Sequence, residues 1–348
     1  MRKIFFLCAL CASVAVMAQT PAIGDQFAID ESGTGGHIIN YEVTSVGPNE
    51  VKVAASGHTI ATGVKLEIPA EVTYAEQTWA VTELEYQVFY ENDALSEVVL
   101  PSSITEIPIR AFSGSSITKI TIPSSVTNIN DGALSWCLNL TEIDFEDVST
   151  LTSTAWNSFS SSKIITDQTA DGWVTIGQLA VNYRGAFSET LVVPEGIVNM
   201  STSVYYPNAS GFDNVKKIVL PSTLKQINPY AFASDTDQKM ANLETIVVKA
   251  TDAPQIGGGS AQGYDLILYT DQPLKLVVPC GCLAAYTAES MWQTYQDKNQ
   301  TYASVTEDCT TALDETATSA SATKRLVNGQ LLIEKNGCTY NAQGIRIK

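Results

Sequence analysis

Short segments in which apolar and polar residues alternate recur along this chain. The segments "LSEVVLPSSITEI" (95–107) and "ITKITIPSSVTNI" (117–129) share their aliphatic positions, a proline and a serine pair. In the second segment isoleucines alternate with Lys119 and Thr121, which predicts a strand that is buried on one face. Pro123 lacks a backbone N–H and ends that strand, and the serines that follow favour a turn.

The same layout returns at a fixed period, which predicts a repeat architecture. Alanines recur every 22 residues at Ala111, Ala133 and Ala155. The distance from the proline to a Phe or Leu is 11 residues in Pro101–Phe112, Pro123–Leu134 and Pro221–Phe232. One coil of this length cannot bury its apolar side alone, but stacked coils form a continuous core. We therefore predict a mainly β solenoid with coils of ~22–23 residues and a parallel sheet. A β-sandwich is the alternative, although its strands have no reason to keep the proline spacing.

These units resemble the BspA-like leucine-rich repeat family, whose repeats read Leu-x-x-Ile-x-Ile-Pro-x-Ser-Val-x-x-Ile-x-x-x-Ala-Phe. Residues 79–89 are similar to a first repeat of that family, and residues 172–196 are similar to its inserted hairpin. Residues 274–295 are similar to its closing unit, a strand followed by a short helix. Glu146 replaces the proline of one unit, and no Ala-Phe pair follows residues 198–212, so irregular coils are expected at both places. Members of the family are secreted or surface-exposed proteins of host-associated Bacteroidota-type bacteria, and some take part in adhesion.

The segments on either side of the repeats predict a cap, a leader and a tail. Two basic residues, an apolar run and small residues precede Gln19, which is the order of a secretory signal peptide without a lipobox. Residues 38–55 contain two β-rich runs separated by Gly47-Pro48-Asn49, which predicts a hairpin cap. The C-terminal end resembles short tails of secreted proteins, some of them related to type IX sorting signals, and a plain terminal hairpin is the alternative. The predicted organisation is a signal peptide (1–18), an N-terminal β-hairpin cap (19–61), the solenoid (62–296), a linker (297–325) and a C-terminal β tail (326–348).

Composition and charge narrow the classes of function. The chain has 348 residues, and its 37 Asp and Glu outnumber 20 Lys and Arg, giving a net charge of −17. This charge repels nucleic acids and anionic membranes, and no mature segment is apolar for long enough to span a bilayer. The only histidines, His37 and His58, lie without a nucleophile motif nearby, so we expect no enzyme. The sequence also predicts no cofactor and no metal site.

Cysteine spacing predicts a single bridge near the C-terminal end of the solenoid. Five cysteines remain after the predicted signal peptide, so at least one thiol is left over in an oxidising compartment. We expect Cys280 or Cys282 to bond to Cys309, with Cys282–Cys309 as the candidate pair. Cys137 is expected to be a buried apolar thiol.

The candidate binding surface consists of the strand positions that alternate with the core positions. These residues are Glu97, Val99, Lys119, Thr121, Glu142, Asp144, Lys217 and Val219. Stacked coils would bring Glu97, Lys119 and Glu142 into one row of alternating charge. Such charges either pair across strands and fix the register or form a recognition surface. We expect a secreted or cell-surface binding protein that recognises a host or microbial protein or glycan. The alternatives are an accessory protein or enzyme of glycan or peptide degradation and a structural envelope protein.

Overall fold

The fold is that of a β solenoid, as the repeat predicts. The computed structural model describes residues 4–5, 20–31, 36–155, 157–201, 210–228, 231–232, 240–257, 270, 272–288, 292–295, 300–309, 323–327, 330–335, 338–341 and 347. No helix in this described part is long and apolar enough to cross a membrane. The solenoid has two successive stacks of parallel strands, joined by an antiparallel hairpin.

The N-terminal sheet covers the first coil of the solenoid. Its strands are β1 (Ile4–Phe5), β2 (Gln26–Asp30), β3 (His37–Val46), β4 (Asn49–Val53), β5 (Thr59–Ile60), β7 (Glu71–Tyr74) and β8 (Gln77–Leu84). Strands β3 and β4 form the predicted antiparallel hairpin, and β4 also pairs in parallel with β8. Trp79 on β8 is fully buried and donates from Nε1 to the carbonyl of Tyr74, 3.0 Å away. The sheet therefore continues past residue 61, where the sequence placed the end of the cap.

A parallel sheet forms one side of the first coils. This first sheet contains β6 (Val64–Glu67), β9 (Leu95–Val99), β11 (Lys119–Ile122) and β13 (Glu142–Phe145). Val98, Ile120 and Ile143 lie side by side in its register and are buried, which confirms the predicted alternation. A second side of these coils is a narrow sheet of β10 (Glu106–Ile107), β12 (Asn128–Ile129) and β14 (Ser153–Thr154). A short 3-10 turn, Val148–Thr150, precedes β14.

The Ala-Phe positions form the third side of the coils, where turns stack on one another. Phe112 and Leu134 are fully buried, and so are Ala111 and Ala133 before them. The backbone N–H of Phe112 donates to the carbonyl of Ala133 (2.8 Å), and that of Leu134 donates to Ser158 (2.8 Å). Alanine therefore recurs because a small side chain lets the turns stack closely, while the larger neighbour fills the core.

A hairpin and a group of buried polar side chains join the two stacks. After α1 (Lys163–Thr166), β15 (Gly172–Ile176) and β16 (Leu179–Arg184) form the antiparallel hairpin that the family resemblance predicts. Asn199 spans the junction, donating from Nδ2 to the carbonyls of Val148 (2.8 Å) and Leu151 (2.7 Å). The hydroxyls of Thr154 and Ser201 are 2.5 Å apart. Buried side chains therefore supply hydrogen bonds where the backbone ladder is interrupted.

The second stack repeats the design with longer coils. Its second sheet contains β17 (Thr190–Val192), β19 (Lys217–Leu220), β21 (Thr245–Val248), β23 (Lys275–Pro279) and β26 (Ser304–Asp308). Its narrow side contains β16, β18 (Asn199–Met200), β20 (Gln226–Ile227) and β22 (Gln255–Ile256). A 3-10 turn, Phe212–Asn214, leads into β19. Register partners are 22 and 23 residues apart in Glu97, Lys119 and Glu142, but 27 and 28 in Thr190, Lys217 and Thr245. The predicted coil length therefore holds in the first stack, while the second stack keeps its strands and lengthens its loops.

The C-terminal end of the second stack is closed by two buried aromatic side chains. Tyr286 on α2 (Leu283–Ala288) donates to the carbonyl of Ala250 (2.6 Å), and Trp292 donates to that of Pro254 (2.7 Å). Their rings pack edge to face with centroids 5.3 Å apart, as expected for the closing unit.

The remaining strands lie in the ranges predicted as linker and tail. Antiparallel β24 (Thr294–Tyr295) and β25 (Gln300–Thr301) precede β26, so the solenoid sheet continues into the predicted linker. Residues 310–322 of that linker and 202–209 of the expected irregular coil lie outside the described residues. The tail contains an antiparallel sheet of β27 (Thr323–Val327), β28 (Gln330–Lys335) and β29 (Cys338–Tyr340).

Candidate functional site: the exposed faces of the two parallel sheets

Six of the eight predicted surface residues lie together on the first sheet. Glu97, Lys119 and Glu142 are aligned across β9, β11 and β13, and a second row aligns Val99, Thr121 and Asp144. Strand β6 extends the two rows with Lys65 and Glu67. Because every second residue of a strand faces the same side, the core residue between each pair is buried and these are exposed or partly exposed.

Most charges of the first sheet are engaged with one another. Lys119 Nζ lies 2.6 Å from a carboxylate oxygen of Asp144 and 2.7 Å from one of Glu142. The hydrogen bond to Asp144 is the main cause of a raised pKa of Lys119, and the same bond lowers the pKa of Asp144. Lys65 pairs with Glu67 on its own strand at 2.5 Å. The pairing that was an alternative to recognition is therefore present at Lys119, and it holds neighbouring strands in register.

The other two predicted residues, Lys217 and Val219, lie on the second sheet, which has a different character. Its exposed positions form a polar row and a valine row. The polar row is Thr190, Lys217, Thr245, Lys275 and Ser304, and the other row is Val192, Val219, Val247, Val277 and Thr306. Val192 is 51% exposed, and the other three valines are partly exposed. The structure thus divides the predicted surface between a charged face and an apolar face.

The lysines of the second sheet are not neutralised. Within the described part of the chain neither Lys217 nor Lys275 forms an ion pair, and both are exposed. Acidic residues at the borders are already engaged: Glu189 pairs with Lys216 at 2.8 Å, and Glu195 pairs with Lys249 at 3.1 Å. The two rows themselves contain two lysines and no carboxylate, so this face carries positive charge on a chain of net charge −17.

A protein-family model described as "BspA type Leucine rich repeat region" matches residues 82–210 and 203–251, in six copies. The solenoid of this chain belongs to the BspA-type leucine-rich repeat family. The matched residues contain the first sheet from β9 onward, the connecting hairpin and the first strands of the second sheet. The family resemblance inferred from the repeats is thereby confirmed.

Several solved structures are similar to this BspA-type chain. A leucine-rich repeat protein from Bacteroides ovatus ATCC 8483 is 18% identical over 77% of this chain and 77% of that chain, with a TM-score of 0.33. The pneumococcal vaccine antigen PcpA is 13% identical over 79% of this chain and 99% of that chain, with a TM-score of 0.32. A leucine rich cell surface protein from Faecalibacterium prausnitzii A2-165 is 14% identical over 68% and 92%, with a TM-score of 0.23. The search of curated proteins gave no match.

The disulfide of the BspA-type solenoid joins Cys280 to Cys309, so the candidate pair Cys282–Cys309 is wrong. The register pairs Pro279 on β23 with Asp308 on β26, and each bonded cysteine follows directly. Parallel neighbours in register bring the two Cα atoms to 4.6 Å, within the range that a disulfide requires. Cys282 lies beyond the turn at Gly281 and remains a half-buried thiol. The bridge ties the last strand of the second sheet to its neighbour.

The remaining thiol and the histidines have structural positions. Cys137 is fully buried, as predicted, and burial raises the pKa of its thiol to about 11. The ring of His58 packs 5.0 Å from that of Phe89, and its Nδ1 accepts from the backbone N–H of Asn40 (3.2 Å). Burial lowers the pKa of His58. These surroundings favour a neutral imidazole that packs in the N-terminal core.

One group of ligand-type side chains occurs among the described residues, namely Cys280, Glu307 and Cys309. Both sulfurs are bonded to each other, and a carboxylate oxygen of Glu307 accepts from the backbone N–H of Leu283 (2.9 Å) at the start of α2. The group therefore closes the solenoid, and its donor atoms are already used.

Sequence reasoning missed most residues of the apolar face. Val192, Val247, Val277 and Lys275 were not named, although each lies two positions from its partner in a Lys-x-Val or Thr-x-Val pattern. That pattern occurs in "ETLVVP", "KKIVLP", "ETIVVK" and "LKLVVP". Aligning these four segments by their paired aliphatic residues would have placed the valines in one row.

Proposed function

We propose that this protein is an extracellular recognition protein, with no catalytic role, whose second sheet binds a protein ligand. The observation that supports the proposal is the row of exposed valines beside lysines that have no ion pair among the described residues. β-branched residues suit any strand, so the valines alone do not indicate binding. An apolar row that remains exposed beside available charges has the mixed character of a protein-binding surface.

The first sheet is less suited to this role. Its lysines already pair with carboxylates of the same sheet, so a ligand would have to break those contacts before making its own. The second sheet offers its apolar and basic groups without such a cost. We therefore place the binding surface on Val219, Val247, Val277, Lys217 and Lys275.

The proposed location outside the cell rests on the N-terminal sequence. Because small residues end the apolar run at Ala18, we expect the mature protein to begin at Gln19 and to carry no lipid. Mass spectrometry of the protein exported from its native cells tests this directly. An intact leader, or a lipid attached to Cys11, would contradict the proposed export route.

Binding is tested by screening residues 19–348 on arrays of extracellular proteins and of glycans. For each protein ligand found, the triple variant Val219→Thr, Val247→Thr, Val277→Thr removes apolar surface but keeps β-branched residues. We expect its affinity to fall about tenfold or more, because three partly exposed side chains lose their apolar contacts.

The matched control is Val99→Thr, which makes the same change in the corresponding row of the first sheet. It should leave affinity within about twofold, since the proposed surface is untouched. Equal losses in both variants, or ligands found only on the glycan array, would contradict the proposal.

A further inference from the structure

The geometry points to the class of ligand that the second sheet accepts. We propose that it binds an acidic amphipathic helix of a partner protein, laid across the strands so that its carboxylates meet Lys217 and Lys275. This inference rests on the proposed function, because it specifies the partner of the same surface.

The spacing of the lysines sets the spacing of the carboxylates. Lys217 and Lys275 lie on β19 and β23, which are separated only by β21, with Thr245 between them in the row. Adjacent strands are about 4.8 Å apart, so the two Cα atoms are separated by about 10 Å across the sheet. In an α-helix, residues seven positions apart are separated by about 10.5 Å along the axis. Two acidic residues one heptad apart on a helix therefore match the two lysines.

The valine row sets the second requirement. Val219 and Val277 follow the two lysines by two residues on the same strands, which displaces the row by about 7 Å along each strand. A helix has a diameter of about 10 Å, so one helix can cover both rows when its acidic and apolar stripes are adjacent. An amphipathic helix has this arrangement, whereas a uniformly acidic chain lacks the apolar stripe.

The charge of the surroundings favours an acidic partner at this place alone. Basic residues at the borders of the sheet are occupied, since Lys216 pairs with Glu189 and Lys249 with Glu195. The exposed rows contain no carboxylate that would repel an acidic helix. On the first sheet, by contrast, three of the six predicted residues are acidic, namely Glu97, Glu142 and Asp144. An acidic helix would therefore be repelled there and held on the second sheet.

The probe is a synthetic helical peptide with two glutamates one heptad apart beside a row of leucines. Its counterparts carry glutamine or lysine in place of the glutamates, and heparin serves as an anionic probe that is not a protein. Binding to residues 19–348 is measured by fluorescence anisotropy for the peptides and by calorimetry for heparin, at about 0.05 M and about 0.5 M NaCl.

We expect the glutamate peptide to bind and the glutamine peptide to bind at least about fivefold more weakly. The variant Lys217→Glu, Lys275→Glu should lose the glutamate peptide by about tenfold or more and gain the lysine peptide. The charge-matched control Lys163→Glu, Lys225→Glu changes net charge equally, at α1 and beside β20. It should change affinity by less than about twofold.

Three results would overturn the inference: no binding of the glutamate peptide, equal losses in the variant and its control, or preferential binding of heparin. If the peptide fails while the valine variant still loses its array ligand, the proposed surface stands and the acidic helix is wrong. If the valine variant keeps its array ligand, the proposed function itself is wrong.

Discussion

Replacing Ile120 by aspartate tests the stacking of the first coils most directly. Ile120 is fully buried on β11, aligned with Val98 on β9 and Ile143 on β13. The aspartate would place a carboxylate between aliphatic side chains on both neighbouring strands. Since the contacts of a solenoid coil are made mainly with adjacent coils, the damage should begin in these three strands.

The expected loss comes from two sources. Truncating a buried isoleucine costs about 2–5 kcal/mol in lost packing. Burying a carboxylate raises its pKa by about 3–5 units, and each unit corresponds to about 1.36 kcal/mol at neutral pH. The total is about 6–12 kcal/mol, which is comparable with the whole stability of a domain, about 5–15 kcal/mol. We therefore expect the variant to be largely unfolded around the first sheet at neutral pH.

The assay is thermal and urea unfolding followed by circular dichroism, with two controls. Ile120→Val removes one methylene and should cost about 0.5–1.5 kcal/mol. Thr121→Asp adds the same carboxylate one position further, where it faces outward opposite Asp144 and should cost less than about 1 kcal/mol.

The pH dependence gives the prediction a sign. A buried carboxylate has a higher pKa in the folded than in the unfolded protein, so the folded state holds its proton more tightly. The penalty is therefore complete above the folded pKa and disappears below the unfolded pKa of about 3.9. A variant at Ile120 that melts like the parent, or a deficit that does not shrink on acidification, would refute the register of these strands.

Three further predictions concern the cysteines and a histidine. Cys280→Ser with Cys309→Ser should lower the free energy of unfolding by about 3–4 kcal/mol, because the bridge joins residues 29 apart, while Cys282→Ser should change melting little. Cys137 should react with iodoacetamide far more slowly in the native protein than after denaturation, because burial raises its pKa to about 11. Because burial lowers the pKa of His58, the unfolded chain binds a proton more readily, so stability measured by urea unfolding should fall as pH drops below about 6.5. His58→Gln should remove this part of the pH dependence, and an unchanged pH profile would contradict the argument.

Much of the fold could be predicted because the information is local and repeated. Alternation around Ile120 sets which side chains face inward, and the 22-residue period aligns one coil with the next. The closing unit was predicted for a similar reason, since a strand followed by a helix with Tyr286 and Trp292 lies within one short segment. In each case residues close in the chain determine their own environment, and stacking only multiplies it.

Tertiary structure decided the features that depend on distant residues. The choice between Cys280 and Cys282 followed from the register of β23 against β26, and two positions along the chain carry no information about that register. Asn199 is buried because the hairpin interrupts the ladder and leaves the carbonyls of Val148 and Leu151 to be satisfied. No local pattern announces such a partner 48 or 51 residues away.

The character of the binding surface was divided in the same way. The sequence by itself determined that Lys119 and Lys217 face outward, because each occupies the same place in its strand. Only the folded chain decided that Lys119 meets Glu142 and Asp144 across strands while Lys217 meets threonines in its row. The alternation of a strand fixes which face a side chain takes, whereas its charge environment depends on neighbours that the stacking of separate coils brings alongside.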